Sequence, residues 1–385
     1  MTRQFKDQAR QAVLDDEENL LALSHRIHAN PELAWHEFNA STWLADELEH
    51  IGFSVTRGVG DLPTAFLATI GSGDLHLGIC AEYDALPGMG HACGHNIIAA
   101  AALGAGVGLA RLVDALDITV SVLGTPAEEG GGGKIHLLER GVFDGIDAAM
   151  MIHPGPMDVA LAEPFAVSHL HVHYDGKAAH AAAYPDEGVN AADAFTVAQV
   201  AIGLLRQQLP GSVRVHGVVT EGGDAPNIIP ESTDGRWYVR ASTLSELDVI
   251  EPKVRNCFAA GALATGCSIQ IKSESPRYSE FRNDHEILGC FVENARELGR
   301  PFDEVGSAGR MNRASTDMGN VSLAIPSIHP YLGIDSLPAS NHQRAFAECC
   351  ATPPADKAVL DGAIAMAWTA IDLATNRSLR NRLNS

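Results

Sequence analysis

Three side chains able to ligate a metal alternate at His91, Cys93 and His95, a few residues after two carboxylates, Glu82 and Asp84. The stretch reads AEYDALPGMGHACGHNIIAAAALG over residues 81–104. If these three groups were only packed into a core, each would need its own polar partner, whereas one metal site satisfies several of them together. One Cys and two His fall a ligand short of a closed structural zinc site. No second CxxC or HxxxH lies nearby, so further ligands must arrive from distant segments. The small apolar run after Asn96 reads as a buried helix whose N-terminus aims free N–H groups back at the cluster. Such a helix start is expected to lower the pKa of Cys93 and ready its thiolate.

A second candidate lies at the end of the apolar run 118–123, in GTPAEEGGGGK, where Glu128 and Glu129 are adjacent. The four glycines do not make a phosphate loop: the first glycine position of that pattern is Glu128, and Ile135 follows the lysine in place of Ser or Thr. Two neighbouring carboxylates on a turn diverge, which suits one to bind metal and the other to move a proton, the division of labour that metal-assisted hydrolysis requires. His153 in HPG and His342 after Asn341 each offer one more imidazole.

The elements that must position these groups follow from periodicity. Apolar spacing over 4–28 and 37–51 predicts helices, and short apolar runs at 65–70, 76–80, 118–123 and 148–152 predict buried strands alternating with helices at 95 onward and near 135–140. That pattern is an α/β sheet, mostly parallel, covered by helices on both faces, with ligands beyond the carboxyl ends of the strands. From about Val167 the pattern changes to two β-α-β halves, an α+β insert over 167–275 within a metal-binding domain of 1–166 and 276–385. An amphipathic helix over 354–374 is expected to finish the chain.

Length and charge narrow the function. A chain of 385 residues exceeds what one core usually supports, consistent with two domains. A net charge of −21 excludes nucleic acid and anionic membrane as partners, since both need a basic footprint. No apolar run of membrane-spanning length is read, and the charged N-terminus is unlike a signal peptide, so a cytoplasmic location is expected. Seven scattered cysteines argue against a disulfide framework; Cys349 and Cys350 are read as incidental, exposed thiols.

Taken in order, HANPELAWHEF, EYDALPGMGHACGHN, GTPAEEGGGGK, HPG, GKAAHAA, GGDAPNIIPE, STDMGNVS and NHQRAF resemble the dinuclear metallohydrolases that include aminoacylase 1, carboxypeptidase G2, p-aminobenzoyl-glutamate hydrolase and the plant auxin-conjugate amidohydrolases. The resemblance spans nearly the whole chain and is nearest the branch of p-aminobenzoyl-glutamate hydrolase and related dipeptidases. It implies two divalent ions, zinc or manganese with cobalt also suited, bridged by Cys93, with Glu129 and His342 on one and His95 and His153 on the other. Glu128 is then the general base, Asp84 orients a ligand histidine, and His180 in the insert stabilises the oxyanion. Asn227 and Arg240 would meet the substrate, and Arg313, with Arg310, flanks a segment that could hold an acidic group. The insert would act as a lid and dimerisation domain. Asn96 and the STD of 315–317 depart from patterns common in relatives.

The implied reaction is hydrolysis of the amide of a small N-acyl or N-aminoacyl amino acid, a dipeptide or a p-aminobenzoyl-glutamate-like compound, by an activated water. Deacylation of N-acyl amino acids is the alternative within enzymes. A non-catalytic partner chain of a two-component hydrolase and a Cys93-based metal or redox sensor are the alternatives outside them. A homodimer, or a hetero-oligomer with a related chain, is expected.

Overall fold

The computed structural model describes residues 1–302 and 307–384. Contacts divide the chain into two compact units, Met1–Pro164 with Phe281–Ser385, and Phe165–Glu280. The first segment carries α1 (Thr2–Asp15), α2 (Glu17–Ala29), α3 (Phe38–His50), β1 (Ser54–Arg57), β2 (Phe66–Gly71) and β3 (Leu75–Ala81). It continues with α4 (His95–Ala110), α5 (Val113–Leu116), β4 (Ile118–Gly124), α6 (Gly133–Glu139), β5 (Ala148–Met150) and β6 (His153–Gly155). The insert holds β7 (Ala166–Asp175), α7 (Ala191–Leu205), β8 (Arg214–Glu221), β9 (Ser232–Ala241), α8 (Leu244–Thr265) and β10 (Ser268–Ser273). The last segment adds α9 (His285–Glu297), α10 (Met318–Ala324), β11 (Ser327–Ile328), β12 (Tyr331–Gly333), α11 (Arg344–Cys349), α12 (Pro353–Thr375) and α13 (Arg377–Leu383).

In the first unit a six-stranded sheet runs in the order β1-β2-β4-β3-β5-β11. The pairings β4/β3, β3/β5 and β5/β11 are parallel, and β1/β2 and β2/β4 antiparallel, so the parallel part lies where the chemistry-bearing loops emerge. Its strands are apolar on both faces. Leu77, Ile79, Val120, Val122 and Met150 join a core with α1 to α4, α9 and α12, while Cys80, Leu123 and Ala149 join a second core with Leu137, Phe143 and Val321. Alternate side chains of a strand point to opposite faces, so covering both faces requires continuous apolar runs of the kind read from the sequence. β3 and β4 end level, at Ala81 opposite Gly124, and Thr125 N–H donates to Ala81 O at 2.8 Å. The carboxylate loops at 82–84 and 125–129 therefore start side by side.

The insert is an antiparallel sheet, β10-β7-β9-β8, with α7 and α8 on one face over Leu170, Val172 and Tyr174. His169, His171 and His173 take the opposite face of β7. This unit reaches a few residues beyond 167–275 on either side because Val167 and Tyr278 exchange main-chain hydrogen bonds and Glu280 accepts from Leu244 N–H.

The helical ends differ from the sequence expectation. The helix expected over 4–28 is two, broken at Asp16, where Glu17 and Glu18 occupy the first turn of α2 and favour a fresh N-terminus there. The chain ends on α13, and the long helix before it is not amphipathic: α12 is buried on nearly all sides. By length and composition α12 could also cross a membrane, contrary to the reading that no apolar run is long enough; here it is a core helix. It packs closely on α4, where a Cβ at Gly104 would sit 2.7 Å from Ala363 Cβ. Gly104→Val should therefore destabilise the fold by about 1–3 kcal/mol in urea denaturation, and Gly104→Ala should be better tolerated when Ala363→Gly clears the facing methyl.

Candidate metal centre

The loop from Glu82 to His95 is shaped by Gly94, whose φ of +81° and contact with Pro154, 2.4 Å from a Cβ placed there, admit no side chain. That close approach brings the CGH turn against the HPG turn of β6. Cys93 Sγ lies 3.5 Å from His153 Nε2, and His153 Nδ1 donates to Pro154 O at 2.8 Å, which leaves Nε2 facing the thiol. The rings of His95 and His153 meet edge to face with centroids 5.9 Å apart. His95 Nδ1 is 3.0 Å from Asp84 Oδ1, so its Nε2 points into the cluster, buried and without a hydrogen-bond partner. Asp84 Oδ2 accepts Glu129 N–H at 2.9 Å, so one carboxylate orients both the imidazole and the acidic loop.

Glu129 Oε1 is 3.2 Å from His342 Nε2. His342 adopts φ +66°, with its N–H donating to Ala92 O at 2.8 Å, while Asn341 Nδ2 donates to Pro154 O at 3.1 Å. Three groups of donor atoms result, each within 4.8 Å of one another: Cys93 with His95 and His153, Cys93 with Glu129 and His342, and Glu82 with His95 and Glu128. His91 joins none of them; it is buried beside His28, ring centroids 6.3 Å apart, because the turn through Gly94 does not keep alternate residues on one side.

Charge makes the cluster unlike an ordinary core. Glu82, Asp84, Glu128, Glu129 and Asp317 converge, and Lys134, fully buried, donates to Glu82 Oε1 at 2.5 Å and Asp317 Oδ1 at 2.7 Å. Burial opposes ionisation of Glu82, but Lys134 and His95 hold its carboxyl down at about 2. Burial and the charges of Glu82 and Glu129 push Glu128 well above the usual carboxylate range. Burial works against a charged His95, yet Asp84 and Glu82 hold it up at about 10. His153, desolvated and near His329, is pushed down to about 3. Contrary to the direction expected from the helix start, burial and the neighbouring Glu129 and Glu128 push the Cys93 thiol up. Mixed S, N and O donors, a buried imidazole nitrogen that faces carboxylates without a hydrogen bond, and an excess of those carboxylates fit divalent metal ions. An ion and a proton are alternatives at these atoms, so ligation releases protons.

His180, Asn227 and Arg240 belong to the insert. There Ala181 N–H donates to Asn227 O at 3.0 Å, placing His180 and Asn227 on adjoining segments. His180 Nδ1 accepts from Ala183 N–H at 3.1 Å, which puts its proton on Nε2. Arg240 Nε donates to His216 Nε2 at 3.2 Å. Arg313 is exposed, 3.9 Å from Glu163, and Arg310 is exposed as well. Asp317 of the STD segment is buried on Lys134, and Asn96 donates to Ser24 Oγ and Cys350 O, both at 2.9 Å. Cys350 is buried and Cys349 partly so, since α11 turns them inward; neither is the exposed thiol expected.

Sequence reasoning missed Lys134, Glu82's partner, and His329, buried with its ring 5.4 Å from that of His153. A lone lysine after four glycines was the available signal for the first; nothing in the sequence marked the second. Lys134→Met would leave two buried carboxylates without their cation, and a loss of about 3–5 kcal/mol is expected, read by chemical denaturation, with Lys134→Met/Asp317→Asn recovering part of it.

The model of peptidase families M20/M25/M40 matches residues 78–350 of this chain. The Xaa-Arg dipeptidase of Mus musculus is 40% identical over an alignment of 386 residues, covering 96% of this chain and 89% of that protein. One of the p-aminobenzoyl-glutamate hydrolase subunits of Escherichia coli (strain K12) is 31% identical over 283 residues, covering 68% of this chain and 59% of that protein. Among solved structures, the Bacillus subtilis YXEP protein, described as a dinuclear metal binding peptidase, superposes with a TM-score of 0.68 at 21% identity, covering 92% of this chain and 98% of that one. With its fold, its donor cluster and these relatives in agreement, the chain belongs to the M20/M25/M40 family of metal-dependent peptidases and amidohydrolases.

Proposed function

We propose that this enzyme hydrolyses dipeptides at a dinuclear centre, and that it favours those with a cationic C-terminal residue. The observation that carries the dinuclear reading is the position of Cys93, whose thiol is shared by two donor groups, His95 with His153 on one side and Glu129 with His342 on the other. The preference for a dipeptide is supported by the 40% identity to an Xaa-Arg dipeptidase along 96% of the chain, against a shorter match to a p-aminobenzoyl-glutamate hydrolase.

Bound divalent ions, zinc, manganese or cobalt, would polarise the amide carbonyl and make water a stronger acid. Glu128, buried beside the ligands and not needed in either Cys93 group, takes the proton of the attacking water and returns it to the leaving amine. Asp84 fixes the ring of His95 and the main chain of Glu129. His180, protonated on Nε2, donates to the oxyanion as the carbonyl carbon becomes tetrahedral. Asn227, on the segment adjoining His180, and Arg240 bind the substrate's carbonyl and carboxylate. The proposed working unit is a homodimer through the insert, as the family resemblance implies.

Two measurements test this. Glu128→Gln should retain its metal by elemental analysis while kcat falls about 100-fold or more; an active Glu128→Gln protein removes the base assignment. The metal-loaded chain is then offered dipeptides ending in Arg, Lys, Ala and Glu, p-aminobenzoyl-glutamate and N-acetyl amino acids. Cleavage of the Arg and Lys dipeptides with the highest kcat/KM is expected. Faster cleavage of p-aminobenzoyl-glutamate or of N-acetyl amino acids would overturn the substrate reading.

A further inference from the structure

The connector between α2 and α3 lies behind both carboxylate loops. Leu33 bridges Ala85, and Ala85 N–H donates to Glu32 O at 2.8 Å. At the end of this connector Glu37 is fully buried. Its Oε1 accepts Ala127 N–H at 2.8 Å, and its Oε2 accepts from Thr64 Oγ at 2.9 Å. Ala127 immediately precedes Glu128 and has φ +58°. A residue with a Cβ is strained in that left-handed conformation. The strain accompanies a tight turn, since Gly131 N–H returns to Ala127 O at 3.1 Å and Gly130 N–H to Glu128 O at 2.7 Å.

The acidic loop is thus held by main-chain hydrogen bonds to three carboxylates from three segments. Glu37 takes Ala127 N–H, Asp84 takes Glu129 N–H at 2.9 Å, and Asp317 takes Lys134 N–H at 2.9 Å. Asp84 and Asp317 have second duties to His95 and Lys134. Glu37 touches neither, and of the three its bond is on the residue just before Glu128.

We propose that Glu37 is a positioning residue for catalysis: its hydrogen bond to Ala127 N–H holds the strained turn that aims the Glu128 carboxylate. The proposal rests on Glu128 being the general base. Because Glu129 is anchored separately through Asp84, losing Glu37 affects turnover and leaves metal binding and KM in place. What the turn needs from Glu37 is an acceptor oxygen of the right reach, and charge is dispensable. Burial and the nearby Asp84 push its carboxyl up to about 7, and the Thr64 hydroxyl can donate to it or accept from it.

The test compares Glu37→Gln, Glu37→Leu, Ala127→Gly and Glu37→Leu/Ala127→Gly in the full, metal-loaded chain, using the best-cleaved compound of the panel above. Glu37→Gln should keep kcat within about threefold, because the amide oxygen still accepts. Glu37→Leu should lose kcat by about 10- to 100-fold, with KM, metal content by elemental analysis and melting temperature little changed. Adding Ala127→Gly should recover much of that loss, since glycine takes the left-handed conformation without strain. If Glu37→Leu does not fold, Glu37→Asp carries the same expectation, as it keeps the charge and withdraws the acceptor by one carbon. Full turnover in Glu37→Leu or Glu37→Asp overturns the proposal. So does a parallel fall of kcat, metal content and melting temperature that Ala127→Gly does not relieve, which would leave Glu37 a purely structural group. The two readings separate cleanly: an active Glu128→Gln protein removes the base, whereas an active Glu37→Leu protein removes the positioning and leaves the base intact.

Discussion

Four buried carboxylates and a fifth, Glu129, that is nearly so repel one another at close quarters, and the metal centre is organised around countering that repulsion. Lys134 does part of it from inside the protein. Its ammonium pairs with Glu82 and Asp317, ties the end of β3 to the starts of α6 and α10, and opposes the effect of burial on both carboxyls. Two more carboxylates pair with imidazoles, Asp84 with His95 and Glu129 with His342, positions where a divalent ion can take the place of a proton. A site with this balance binds cations because its own residues leave charge uncompensated.

The same carboxylates also fix shape. Main-chain N–H groups of Ala127, Glu129 and Lys134 end on Glu37, Asp84 and Asp317, so this irregular, glycine-rich segment has these donors satisfied inside the protein. Two residues near the chemistry, Ala127 and His342, keep left-handed backbones that a free loop would abandon. They persist because flanking hydrogen bonds over-determine them. Rigid strands end just before these loops, so the scaffold supplies level starting points and the buried acids supply the final aim.

Much of the architecture was legible in the residues. Strands buried on both faces must be continuously apolar, and β3, β4 and β5 are, so their existence and their partly parallel sheet could be read directly. The all-round apolar α4 was readable for the same reason. What escaped was decided by neighbours distant in sequence. The break at Asp16, the burial of α12 and the inward turn of Cys350 depend on surfaces that no local pattern describes. Lys134 reads in isolation as a solvated lysine beside a flexible loop, and Asp317 lies 183 positions away in the chain.

Which donors were available, and in what order, could be read from the residues alone: a thiol between imidazoles, paired acids after a strand, and single histidines near strand and loop ends. Residue type sets those chemical capacities, and they survive any fold. Which donors come together was settled by the fold. It excluded His91, drew in Glu82 and His329, raised the proton affinity of Cys93 where the helix start alone would lower it, and placed Glu37 behind Glu128. Distance and burial govern electrostatic coupling and hydrogen bonding, and both are properties of the folded chain.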